Sequence, residues 1–374
     1  MSTPAQTRER AAPAADSCAE RVAAIVRPDV HALSPYRVAD ARGMIKLDAM
    51  ESPYDLPAPA RARMVAAIAS AAVNRYPDGN PDVLKRVIAR AFGVPAEAQM
   101  LLGNGSDELI QMLCLALARP NAVVLAPEPT FVMYRMHALF AHMRYVGVPL
   151  GEGFALAREP MLDAIARESP ALVFLSYPNN PTGNLFDEAV VREIVERAPG
   201  LVVIDEAYSA FASRSMLASA CAFPNMIVLR TVSKLGMAGL RLGYAVGSRE
   251  WISSIDKVRQ PYNVNVLTQA AACALLEDPS WIDAQSARVL HERTRLEREL
   301  AAIAGCRVFQ TETNFVLVRV ADAARTFAHL ENRGVLVKLL DGWHPMLTNM
   351  LRITVGAPSE NDCLIEALRE AALA

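Results

Sequence analysis

The stretch Ile227–Gly247, IVLRTVSKLGMAGLRLGYAVG, decides how this chain is read. Its first residues are apolar and β-branched and predict a buried strand. Thr231, Ser233 and Lys234 follow at the strand's carboxyl end, a glycine-bearing loop carries Arg241, and a second short strand ends at Gly247. A lysine in that position sits where open α/β sheets place their ligands. Partial desolvation there lowers the pKa of an ammonium enough to make the amine a nucleophile toward aldehydes. The hydroxyls of Thr231 and Ser233 and the guanidinium of Arg241 add phosphate donors beside it. The combination predicts a Schiff base between Lys234 and pyridoxal phosphate. Ser-Lys alone is a weak signal, so the rest of the chain must supply partners for the ring nitrogen, the phenolic oxygen and the ring face.

Those partners come from neighbouring strands. From Ala122 onward AVVLAP, MRYVGVPL, ALVFLSYPNNPTG and LVVIDEAYSAF alternate with helical patterns, which predicts right-handed βαβ crossovers and a largely parallel sheet covered on both faces. Asn180, Asp205 and Lys234 each follow an apolar run, so the topology brings all three to one sheet edge. Asp205 as a carboxylate can keep a pyridine nitrogen protonated and make the ring an electron sink. Asn180 and Tyr208 can donate to the phenolic oxygen, and Phe131 can stack on the ring. Taken singly these residues read as a helix cap, a turn residue and core aromatics; as an ordered set they read as a cofactor site. In LLGNGSDELIQMLCLALA, Ser106 reads as an N-cap, and the free N–H groups of Ser106 and Asp107 suit an anion, although an ordinary capped helix has the same pattern.

Composition excludes several classes. The chain has 374 residues, 52% hydrophobic and 21% charged, with a formal net charge of -2, so it holds a large core and predicts two domains. No basic block or basic helix face suggests a nucleic-acid or membrane-surface partner. Cys18, Cys114, Cys221, Cys273, Cys306 and Cys363 lack CxxC spacing, which predicts reduced thiols and no metal site. The N-terminus has no apolar segment of the secretory kind, and charged residues break every apolar run well short of the roughly 20 residues of a membrane span. A cytoplasmic protein is expected.

The domains expected are a mobile tail over 1–17, an N-terminal segment over 18–50 packing with the small domain, a large cofactor-binding domain over 51–265 and a small α+β domain over 266–374. In the last of these, VFQTETNFVLVRV, VLVKLL and MLRITVG each read as a strand, and Ser359 reads as the cap of the final helix.

DAMESPY, NRYPDG, GNGSDE, SYPNNPTG, VIDEAY, TVSKLGMAGLRLGY, TNFVLVR and LRITVG, taken together, resemble the fold-type I pyridoxal phosphate aminotransferases, and within them the histidinol-phosphate aminotransferase family. The similarity covers nearly everything after about residue 20. It implies a seven-stranded-type, mostly parallel sheet in the large domain. It implies Lys234 as the Schiff-base lysine, Asp205 on the ring nitrogen, Asn180 and Tyr208 on the phenolic oxygen, and Ser106, Asp107, Ser233 and Arg241 around the phosphate. Tyr76 of NRYPDG matches a tyrosine that such enzymes lend to the partner's cofactor, which implies a homodimer with shared sites. The implied reaction converts histidinol phosphate and 2-oxoglutarate to imidazole acetol phosphate and glutamate, in histidine biosynthesis. Four departures stand out: Phe131 in place of a stacking tyrosine, Ser52 in place of asparagine, a Lys234–Arg241 interval one residue shorter, and Lys338 where relatives carry arginine.

One site that serves two unlike substrates needs a cation suited to carboxylate and phosphate alike. Arg352 is the expected fork, with Lys338 one strand away as a second charge and Tyr54 flanking the imidazole. Another fold-type I enzyme, an aromatic aminotransferase or a threonine-phosphate decarboxylase, would share every cofactor residue. A non-catalytic pyridoxal phosphate sensor is disfavoured because no basic DNA-binding domain precedes the fold, and GNGSDE lacks the full GxGxxG spacing of a dinucleotide site.

Overall fold

The computed structural model describes residues 17–35 and 38–373; the expected tail, apart from Ser17, lies outside the described residues. The described residues up to Asp40 form one compact unit and those from Ala41 onward another. In the first unit Ser17 caps the helix Cys18–Ile25. Its hydroxyl accepts from the N–H of Glu20, and the Glu20 carboxylate accepts from the N–H of Ser17.

Among its described residues the second unit contains thirteen strands: β1 (Ile45–Lys46), β2 (Gln99–Asn104), β3 (Val123–Glu128), β4 (Arg144–Pro149), β5 (Leu172–Ser176), β6 (Leu201–Asp205), β7 (Met226–Thr231), β8 (Leu242–Gly247), β9 (Arg307–Val308), β10 (Phe315–Arg319), β11 (Val335–Leu336), β12 (Lys338–Leu339) and β13 (Met350–Thr354). Seven of them form the large sheet in the order β2-β8-β7-β6-β5-β3-β4. β4, β3, β5, β6 and β7 run parallel, and β8 is antiparallel to both its neighbours. The central strands of the sheet are buried on both faces because they are apolar over most of their length. Val202 and Ile204 enter one core cluster while Leu201 and Val203 enter another, as the two-residue period of a strand requires.

Four strands, β12-β13-β10-β9, make a smaller antiparallel sheet, with Phe315, Val318, Leu351 and Ile353 in a third core. Here two expectations are corrected. VFQTETNFVLVRV is not one strand. Its β9 and β10 are antiparallel neighbours, because Thr311 and Thr313 turn the chain between them through hydroxyl–backbone hydrogen bonds. VLVKLL is likewise split: β11 pairs with β1, and β12 pairs with β13. The cap expectations are also corrected. Asn104 is the N-cap of Gly105–Leu117, which puts Ser106 in the first turn. The final helix begins at Pro358, where the Glu360 carboxylate, not Ser359, takes the N–H of Ala357 at 2.7 Å.

The helix Val266–Leu276 packs on Ala58–Ala69 and Asp82–Phe92, whereas Ser280–Ala301 packs on Pro358–Leu373 and β9.

Candidate active site

At the carboxyl ends of β5, β6 and β7 a cleft is lined by Ser106, Asp107, Phe131, Asn180, Asp205, Tyr208, Thr231, Ser233, Lys234 and Arg241, together with Met50, Ser176 and Ala207. Most of them are there for one reason: Ser176, Asn180, Asp205, Ala207, Tyr208, Thr231, Ser233 and Lys234 end β5, β6 or β7 or follow directly after them.

Asp205 closes β6 and is 3% exposed. The Tyr134 hydroxyl donates to its Oδ2 at 2.7 Å, and the N–H of Ala207 donates to its Oδ1 at 3.1 Å. Burial outweighs both donors and lifts the carboxyl from 3.8 to about 6. A buried carboxylate in that state is matched to a cationic N–H that would share the charge. Tyr134 is held in turn by a face-to-face stack on Phe174, with ring centroids 4.4 Å apart.

Lys234 sits in the single helical turn Ser233–Leu235 after β7, and its Nζ donates to the carbonyl of Ala49 at 3.2 Å. Burial, and then the positive charge of Arg352, lowers its pKa from 10.5 to about 8. Beside it Thr231 Oγ1 and Ser233 Oγ are 2.9 Å apart, and Arg241 Nη1 donates to Ser233 Oγ at 3.4 Å. Arg241 Nη2 lies 3.6 Å from Asp107 Oδ2. The first turn of Gly105–Leu117 completes this cradle. A Cβ at Gly105, where φ is +74°, would stand 2.6 Å from Arg241 Nη2; one at Gly243 would stand 2.5 Å from the Gly105 carbonyl carbon. Two glycines thus let β8, Arg241 and the helix start close up. Hydroxyls, N–H groups and a guanidinium around one point suit a phosphate.

Asn180 links two expected site residues. Its Nδ2 donates to the Tyr208 hydroxyl at 3.1 Å, and its Oδ1 accepts from Arg352 Nη1 at 2.6 Å. Arg352 Nη2 donates to the carbonyl of Asp48 at 3.0 Å. Ser176 fixes the loop, accepting from the N–H of Asn180 at 3.2 Å and donating to the carbonyl of Pro178 at 3.0 Å.

Tyr54, Lys338, Arg352 and Tyr76 are not among the residues lining the cleft; Arg352 reaches it through Asn180. The Arg288 guanidinium lies 3.6 Å over the Tyr54 ring, and Lys338 Nζ lies 4.8 Å over the Trp343 ring. Lys338 is nevertheless the register partner of Arg352 across β12 and β13. Tyr76 is 81% exposed and stacks on Tyr262.

Sequence reading missed Tyr134 and the backbone carbonyls of Asp48 and Ala49. A buried aspartate needs donors, but nothing in PTFVMYRMHALFA marks which aromatic supplies one; backbone acceptors leave no trace in side-chain identity.

Residues 42–368 match the family model of aminotransferases of class I and II, and the chain belongs to that family. Among curated relatives, histidinol-phosphate aminotransferase 1 of Burkholderia lata is 52% identical, covering 92% of this chain and 97% of the relative. The histidinol-phosphate aminotransferase of Chromobacterium violaceum is 51% identical over the same shares. The crystal structure of the Sinorhizobium meliloti histidinol-phosphate aminotransferase in complex with pyridoxal-5'-phosphate superposes with a TM-score of 0.84. It is 26% identical, covering 93% of this chain and 98% of that one.

Proposed function

We propose that this chain is a pyridoxal phosphate-dependent transaminase that moves an amino group from histidinol phosphate to 2-oxoglutarate, giving imidazole acetol phosphate and glutamate. The observation that carries the reading is a buried lysine, a buried aspartate and a hydroxyl–guanidinium cradle converging on one cleft in a chain about half identical to histidinol-phosphate aminotransferases. Lys234 would hold the cofactor's aldehyde, Asp205 its ring nitrogen, Asn180 and Tyr208 its phenolic oxygen, and Phe131 its face. Ser106, Asp107, Thr231, Ser233 and Arg241 would surround its phosphate. When bound, the cofactor supplies an electron sink for the carbanion left when the substrate's Cα loses a proton.

The protein's own groups do the rest. With a pKa near 8, the Lys234 amine is partly neutral at neutral pH and can take and return that proton. The Arg352 fork, oriented by Asn180 and the Asp48 carbonyl, is suited to the carboxylate of glutamate and to the phosphate of histidinol phosphate. Lys338 and Tyr54 are the other substrate contacts we assign. Tyr76, exposed on one protomer, would serve the cofactor of a second in a homodimer. All six cysteines are free, which agrees with the cytoplasm as the place of action. Among the described residues no helix is long and apolar enough to cross a membrane, and no cluster could hold a metal ion.

Two half-reactions followed by the cofactor's absorbance test the reading. Histidinol phosphate and glutamate should each convert the bound aldehyde to the amine form. Conversion by glutamate but not by histidinol phosphate would assign a different amino donor. An aromatic amino acid outpacing histidinol phosphate would favour the aromatic aminotransferase instead.

A further inference from the structure

We propose that Tyr262 is a positioning residue for Tyr76, holding its ring so that the hydroxyl meets the cofactor phosphate of a second copy of this chain. The inference rests on the reading above that Tyr76 serves the partner's site. The two rings are stacked, with centroids 4.7 Å apart and planes 15° from parallel. Both are unusually open for aromatics, Tyr76 at 81% and Tyr262 at 45% exposure. An exposed tyrosine wanders among rotamers, and a ligand that needs its hydroxyl must bear the cost of ordering it. A stack fixes the ring plane beforehand and removes part of that cost.

The stack is built, not incidental. Tyr262 has φ +61°, a left-handed conformation that bulky side chains rarely adopt and that persists where the surroundings enforce it. The enforcement comes from Asn263. Its Nδ2 donates to the carbonyl of Leu102 at 3.1 Å and to Glu108 Oε2 at 2.8 Å, and its own carbonyl accepts from Asn104 Nδ2 at 2.7 Å. Glu108 also takes the N–H of Asn104 at 2.6 Å, so the turn is bolted to the start of the helix whose Ser106 and Asp107 line the cleft. On the Tyr76 side, Gln269 Nε2 donates to the carbonyls of Asp78 and Val264, both at 2.9 Å, which ties the two loops together. Gly79 leaves room: a Cβ there would stand 3.3 Å from Tyr262 Cε1. The helix start that carries Ser106 and Asp107 therefore also anchors the turn that holds the tyrosine offered to the other protomer.

The test uses the full-length chain, with its oligomeric state read by sedimentation, titrated with pyridoxal phosphate and with pyridoxal, which lacks the phosphate. Tyr262→Ala should raise the dissociation constant for pyridoxal phosphate roughly three- to tenfold, the strength of an aromatic pair. The constant for pyridoxal and the dimer should stay unchanged. Tyr262→Phe should restore wild-type affinity, since it keeps the ring. Tyr262→Gly should reproduce the alanine result, since glycine adopts the left-handed conformation without strain and guards against a folding defect. Equal losses for both ligands, no loss for either, or a dissociated dimer in Tyr262→Ala and Tyr262→Gly would overturn the proposal. If Tyr76→Phe weakens pyridoxal phosphate selectively while those variants do not, the reading of Tyr76 stands and only Tyr262 loses its role. If Tyr76→Phe changes nothing, both fall.

Discussion

Asp205→Asn offers a test of the site that does not depend on turnover. In the cofactor-free chain burial raises this carboxyl from 3.8 to about 6 even though Tyr134 and the Ala207 N–H both donate to it. A carboxyl whose folded pKa lies above its unfolded value is favoured as the acid. Its contribution to stability is full below pH 3.8 and is lost as the pH rises through about 6. The whole effect is about 3 kcal/mol at 1.36 kcal/mol per pKa unit, with about half of it falling between pH 5 and 8. An asparagine carries no proton to lose. Its amide oxygen can still accept from Tyr134, and whatever the amide nitrogen costs beside the Ala207 N–H is the same at every pH. Urea unfolding of both cofactor-free proteins from pH 5 to 8 should therefore show the wild type losing about 1.5 kcal/mol relative to Asp205→Asn. A difference that stays flat, or that favours the wild type as the pH rises, would refute burial as the dominant influence on Asp205. In the loaded enzyme the same substitution should lower transamination by orders of magnitude, because a neutral amide cannot hold a ring nitrogen protonated.

Lys234→Ala should bind cofactor without covalent attachment and lose turnover; borohydride reduction and peptide mapping of the wild type should label Lys234, and label on another lysine would remove it from its role. In the cofactor-free chain, amine-reagent labelling of Lys234 should show a midpoint near pH 8, and Arg352→Ala should move that midpoint upward, since the Arg352 charge is part of what lowers it. Arg352→Ala should weaken both half-reactions, whereas Lys338→Ala should harm mainly the histidinol phosphate half, by roughly 1.5 to 3 kcal/mol for a lost hydrogen bond to a charged group; equal losses for both donors in single-turnover kinetics would show that Lys338 does not discriminate. Gly243→Ala forces a methyl to within 2.6 Å of the Ser106 nitrogen and should weaken pyridoxal phosphate by about tenfold while sparing pyridoxal, overpacking costing about 1 to 3 kcal/mol.

The features readable from sequence are those that depend on strand period and strand order. β5, β6 and β7 are apolar until their last one or two residues, so their ends, and with them Asn180, Asp205 and Lys234, follow from pattern. Where the chain turns on short-range hydroxyl chemistry, pattern fails: Thr311 and Thr313 divide an apolar-looking run into β9 and β10, and a hydroxyl does not announce whether it continues a strand or reverses it. The same limit explains the caps, since Asn104, not Ser106, begins its helix only because Glu108 reaches back to the Asn104 N–H. Contacts across long sequence separations leave the least trace. The Arg352–Asn180 bond spans 172 residues and the Tyr134–Asp205 bond 71, and neither partner differs in type from a residue with a purely structural role. Both bonds arise because the fold brings strand-end residues of the large sheet against a strand of the smaller sheet, in the first case, and a helix, in the second, that the sequence keeps apart. Lys234 is thus legible from its own neighbourhood, while Arg352, whose charge adds to burial in lowering the pKa of Lys234, stands in β13 of the smaller sheet and comes near it only in the folded chain.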